Sequence, residues 1–326
     1  MTLRSRRTAY ALVPATGLAL LLTACGGGSS DSDSSAAAGA PTVVATTTVL
    51  GSIAGEIVEC AGGSVTTVIP VGADPHDFSP SSADVATMVG ADVVIANGLG
   101  LEEGLEDALG SAAGDGARVI EIAPLVDPIE FGGHGHEDEA HSDEGDDHGH
   151  GSLDPHVWFD MNRMADAAVI IGDALAETGG DTYATCGQQV ADEIRAGEAE
   201  VRALLESVPV DKRVLVTDHD ALGYLAEEYG YEVAGVVIPG GSTLAEPSSA
   251  ELSALVDTIR AEGVTSIFAN TSDSGALAEA VAAEAGSSVK VVTLYIEGPG
   301  APGSGADTYV TMMLENARLI SEALRG

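Results

Sequence analysis

Basic charge, long apolar runs, catalytic signatures and cysteine are all in short supply in this chain, and each shortage excludes something. Lys and Arg number 13 against 51 Asp and Glu, a formal net charge of −38. That balance argues against nucleic acid and anionic headgroups as partners, and it suits a cation. The apolar run from Ala9 to Leu22 is too short to cross a bilayer as a helix. Neither a His-Glu-x-x-His pattern nor a serine nucleophile elbow occurs, which removes the usual signatures of metallo- and serine hydrolases. Of three cysteines, Cys25 has a separate role suggested below. That leaves Cys60 and Cys186, a pair expected to be bridged in an oxidising exterior, the alternative being two unrelated buried thiols.

What is present begins with an export signal. Arg4, Arg6 and Arg7 precede the apolar run, which ends in Leu22-Thr23-Ala24-Cys25. This reads as a signal peptide over residues 1–24 with a bacterial lipobox, so that Cys25 becomes a lipid-anchored N-terminus outside the cytoplasm. After Cys25, residues 26–40 are Gly, Ser, Ala and Asp, a composition that cannot bury enough apolar surface to order itself, so that 25–40 is expected to act as a tether.

From Pro41 onward, short β-branched runs alternate with amphipathic helical stretches. Thr42 to Thr47, Val65 to Pro70, Asp92 to Asn97 and Val119 to Ile122 read as strands; runs such as Asp92-Val-Val-Ile-Ala, without polar alternation, predict buried parallel strands. A second series follows with strands at Arg213 to Thr217, Glu232 to Val237, Ser266 to Ala269 and Val289 to Leu294. Between the series, Thr182 to Val208 predicts one helix about 40 Å long, at about 1.5 Å per residue. The expected fold is α/β: two lobes, residues 41–180 and 210–326, each with a mostly parallel sheet flanked by helices, joined by a helix over 181–209. The pattern breaks over 131–152, where His134, His136, His141, His148 and His150 lie among carboxylates. Such a segment either collects metal weakly or is only a solvated charge run.

The remaining histidines of the eight in the chain are His76, His156 and His219. His76 and His156 each end an Asp-Pro-His sequence, where proline restricts the backbone and the carboxylate of Asp74 or Asp154 can accept the second imidazole N–H. His219 directly follows a predicted strand, at the carboxyl end where ligands collect in open parallel sheets. Taken singly, each histidine is more often a surface or helix-cap residue than a ligand.

Several stretches, in order, resemble the solute-binding proteins of ABC importers for zinc and manganese. They are Gly72 to Asp84, Ala96 to Glu102, Asp154-Pro-His156-Val-Trp-Phe-Asp160, Val216-Thr-Asp-His219 to Tyr224, Ala245-Glu-Pro-Ser248 and Gly305-Ala-Asp307-Thr-Tyr309. The resemblance implies two α/β lobes joined by one rigid helix, limited closure on binding, and four metal ligands falling on His76, His156, His219 and Asp307. It further implies a monomer that hands its ion to a membrane permease. Asn270 stands where many such proteins carry a carboxylate near the site. Three imidazoles and one carboxylate suit Zn²⁺, whereas a carboxylate in place of His219 would suit Mn²⁺. A manganese-binding member and a surface adhesin or metal-storage lipoprotein are the alternatives. Imidazoles bind metal only when neutral, which predicts weakening below about pH 6.

Overall fold

The eight β-branched runs become eight short strands, and in each series the chain crosses over in the same way. The protein is described here by a computed structural model covering residues 39–132, 153–271 and 275–326. The first sheet holds β1 (Val43–Ala45), β2 (Val65–Thr67), β3 (Val93–Ala96) and β4 (Arg118–Glu121) in the order β2-β1-β3-β4, all parallel. The second holds β5 (Val214–Thr217), β6 (Glu232–Val236), β7 (Ser266–Asn270) and β8 (Lys290–Leu294) in the order β6-β5-β7-β8, again all parallel. All four residues of β3 are buried, as a strand covered on both faces requires.

The helices begin where the sequence supplies caps. Thr47 accepts the Leu50 N–H at the start of α1 (Thr48–Ala61), and Ser81 with Asp84 forms a capping box for α2 (Ser82–Val89). After α3 (Glu106–Gly114), Asp160 accepts the N–H groups of Asn162 and Arg163 to start α4 (Met161–Gly179). The 25-residue α5 (Thr182–Glu206) follows, then α6 (Gly223–Tyr229), α7 (Ser249–Glu262), α8 (Ala276–Ala285) and α9 (Tyr309–Arg325). Helices α4 and α5 approach so closely at Gly172 and Gly187 that a Cβ on either would lie 2.8 Å from the other's Cα. Gly197 likewise admits Val310 of α9.

The apolar core is divided in three. One cluster under the first sheet holds Val44, Met88, Val94 and Leu105, and a matching one under the second holds Val216, Val256, Ile259 and Ile267. The largest cluster lies between them and is shared: Trp158, Phe159 and Ile171 from before or within α4 pack with Tyr224, Phe268 and Met312 from the second half of the chain. Polar bonds cross the same region, with Trp158 Nε1 donating to the Ile296 carbonyl and Tyr309 Oη to the Trp158 carbonyl. Each large side chain here stabilises by roughly 1.5–3 kcal/mol, so exposing a few would offset most of a net stability of ~5–15 kcal/mol. Wide opening of the lobes is therefore disfavoured by the shared core itself.

Candidate metal centre

Every group of the candidate centre lies in a connection that leaves the carboxyl end of a strand or follows one closely. In the loop between β2 and α2, Asp74 Oδ1 accepts the His76 backbone N–H at 2.9 Å, turning the chain so that the His76 ring is buried. The second Asp-Pro-His is held more firmly. Asp154 Oδ1 accepts both the backbone N–H and the ring Nδ1–H of His156, at 2.9 and 2.7 Å, and Asn97 Nδ2 donates to the Pro155 carbonyl. Glu102 in turn accepts from Thr46 Oγ1 and the backbone N–H groups of Asn97 and Gly98, fastening this turn to the ends of β1 and β3. Burial raises the pKa of Glu102 while these donors oppose the shift.

In the second lobe His219 stands two residues beyond β5. Asp218 Oδ1 accepts its backbone N–H at 2.8 Å and its Nδ1–H at 3.0 Å, which leaves Nε2 pointing inward. Glu297, three residues beyond β8 and 5% exposed, brings Oε1 to 3.2 Å from His219 Nε2. The Nε2 atoms of His76 and His156 are 3.3 Å apart, and the three rings have centroid separations of 5.3 to 5.8 Å. Donor atoms on a tetrahedral ion with bonds of ~2.0–2.1 Å sit about 3.3 Å apart, the spacing found between His76 and His156. His219 Nε2 and Glu297 Oε2 are buried with no hydrogen-bond partner among the described residues, an arrangement that is costly unless a cation completes it.

Electrostatics agree with a cation seat. Burial, then the nearby His156 ring, lowers the His76 pKa to about 4, and burial lowers that of His156 too. At His219 burial opposes the charge, but the adjacent carboxylates of Asp218 and Glu297 outweigh it and push the pKa up to about 10. Two neutral imidazoles thus face a third that carries a proton where a metal would sit.

A roof covers these groups. The Thr243 hydroxyl, in the connection between β6 and α7, donates across the lobe boundary to Asp74 Oδ2 at 2.5 Å. The Phe131 ring lies edge-on to His156, with centroids 6.2 Å apart, and occupies the space a side chain on Gly241 would need. Beneath the roof a cavity of about 390 Å³ reaches His76 past Leu99, Phe131 and Leu244.

Of the residues singled out in the sequence, His76, His156 and His219 converge, and Asn270 reaches Glu297 with an Nδ2 to Oε1 distance of 3.2 Å. Asp154 Oδ1 lies against its own histidine ring, whereas Asp74 holds the His76 backbone and reaches across to Thr243. Asp307 does not join the cluster: it is exposed and accepts the Gly303 N–H at 2.9 Å. The reason is local, because Thr308 caps α9 in a box with Thr311 and Asp307 lies just outside that cap. The buried carboxylate beside the histidines is that of Glu297. The signal for Glu297 was its lone charge in Leu294-Tyr-Ile-Glu297, at the end of a strand run; Asp218 and Glu102 lay inside the quoted stretches but were assigned no role. Cys60 and Cys186 are bridged, with Cα atoms 5.9 Å apart, joining the end of α1 to the first turns of α5. Cys25, His134, His136, His141, His148 and His150 lie outside the described residues.

Comparison with known proteins supports the same conclusion. Residues 43–323 match the family described as ZnuA, zinc-uptake complex component A, periplasmic. The zinc-binding protein TroA of Treponema pallidum is 30% identical over 289 residues, covering 85% of this chain and 87% of that protein. The manganese-binding lipoprotein MntA of Halalkalibacterium halodurans is 27% identical over 271 residues, covering 81% and 83%. The solved structure of periplasmic TroA superposes with a TM-score of 0.76 at 25% identity, over 88% of this chain and 99% of that one. With two parallel-sheet lobes and an inward-facing cluster of histidines and a carboxylate, the chain belongs to the zinc and manganese solute-binding family of ABC importers, a family of transport proteins and not of enzymes.

Proposed function

We propose that this protein is a lipid-anchored, extracytoplasmic zinc-binding protein that delivers Zn²⁺ to an ABC importer, holding it through His76, His156, His219 and Glu297. The observation that carries this reading is the pair of orphaned buried atoms, His219 Nε2 and Glu297 Oε2, beside two neutral imidazoles at tetrahedral spacing. Three nitrogens and one oxygen suit Zn²⁺. Four donors close the shell and leave no position for a hydrolytic water, which sets the centre apart from catalytic zinc. Anchoring rests on Cys25 in its lipobox, and the histidines over 134–150 supply weaker sites that raise metal occupancy nearby.

A manganese reading has one observation in its favour. Asp74, His76 and Glu297 each offer a donor atom within 4.8 Å of one another, so an oxygen-richer shell lies within reach. Calorimetric titration of metal-free protein with each ion separates the two. The zinc reading expects one tight Zn²⁺, with weaker ions lost on deletion of residues 134–150. Tighter binding of Mn²⁺, or an intact tight site in both His156→Ala and His219→Ala, would overturn it.

A further inference from the structure

Asn270, the last residue of β7, serves two candidate ligands at once. Its backbone N–H donates to Asp218 Oδ2, the carboxylate whose other oxygen holds the His219 ring. Its side-chain Nδ2 donates to Glu297 Oε1 at 3.2 Å. A closed circuit results: His219 to Asp218, Asp218 to Asn270, Asn270 to Glu297, and Glu297 back to His219 at 3.2 Å. Asn270 is 3% exposed and Glu297 5% exposed, so water has little access to replace the amide.

The two oxygens of Glu297 are thereby made unequal. Oε1 lies 3.2 Å from both the Asn270 amide and His219 Nε2, whereas Oε2 is the buried atom without a hydrogen-bond partner among the described residues. We infer that Asn270 is a specificity-determining positioning residue: by engaging Oε1 it restricts Glu297 to one donor oxygen and keeps the centre four-coordinate, favouring Zn²⁺ over oxygen-seeking ions. Without the amide both oxygens are free to bind, and with Asp74 nearby the shell can expand to the higher coordination that Mn²⁺ prefers. The amide is also neutral, so it orients the carboxylate without adding a charge.

This inference rests on the proposed metal site, and the test keeps the two apart. Asn270→Asp preserves shape while removing the donor, and Asn270→Ser shortens it; neither touches the backbone N–H that supports His219. Full-length wild type and both variants are loaded with Co²⁺ as a spectroscopic probe and titrated with Zn²⁺ and Mn²⁺, with thermal melting of the metal-free forms confirming that each variant is folded. The expected result is an intense tetrahedral Co²⁺ band in wild type and a weaker five- or six-coordinate band in the variants. The ratio of zinc to manganese affinity should fall about 10–100-fold, the range typical of outer partners. Absence of a tetrahedral band in wild type would overturn the zinc site itself. A tetrahedral band in wild type, with band and affinity ratio unchanged in whichever variant folds, would overturn the role given to Asn270 and leave it a structural strut.

Discussion

The two lobes have one strand order but present their donors differently. The first uses a repeated tripeptide, Asp-Pro-His, in loops that run well past their strands; the second places His219 and Glu297 within three residues of the ends of β5 and β8. Donors carried by a motif are visible in a sequence wherever the loop goes. Donors carried by position become visible only when the end of the strand is known. The two tripeptides also differ from each other, since Asp154 orients its own imidazole whereas Asp74 is spent on the roof.

The largest expected effect breaks the comparison at its second-lobe end. Glu297→Ala should weaken zinc binding by well over the ~10–100-fold typical of an outer partner, while Asp307→Ala should leave it within about twofold, because that side chain only closes an exposed turn. Competition titration against a chromogenic chelator reads both. Next comes the contrast within the first lobe: Asp154→Asn should cost about 10–100-fold in zinc affinity and Asp74→Asn distinctly less, since only Asp154 holds a ring nitrogen.

The pH dependence follows from His219. Its pKa is raised to about 10, so in the metal-free protein the proton is present below that value and must leave before Nε2 can bind. Affinity should therefore fall about tenfold per pH unit from roughly pH 9 downward, with about one proton released per ion, as calorimetry in buffers of different ionisation enthalpy would show. His76, lowered to about 4, adds a second proton only near that pH. The onset is thus earlier than the value near 6 expected for ordinary imidazoles. The smallest effect sharpens the role of the roof: Thr243→Val removes one cross-lobe hydrogen bond and should speed zinc dissociation roughly five- to tenfold in stopped-flow chelation, with little change in association.

Much of the architecture could be read from the sequence because its signals are local. The strand runs are short, β-branched and uninterrupted, and Ser81 and Ser248 sit three residues before a carboxylate, so both strands and helix starts were predictable. The three histidines were legible for a different reason: outside 134–150 they are the chain's whole supply. Glu297 and Asp218 were not, because 51 acidic residues make any one carboxylate inconspicuous until the fold buries it. Asp307 drew attention through its Gly305-Ala-Asp307-Thr-Tyr309 segment, which serves the capping of α9. Asn270 could be marked as unusual, but its hydrogen bonds to Asp218 and Glu297 join residues 52 and 27 positions away and exist only in the folded chain.

X-ray absorption at the zinc edge, on protein loaded with a single equivalent of Zn²⁺, tests the donor set most directly. The account predicts four light donors at about 2.0–2.1 Å, with multiple scattering from three imidazoles. Fewer than three imidazoles, or a five- or six-coordinate shell dominated by oxygen, would contradict it.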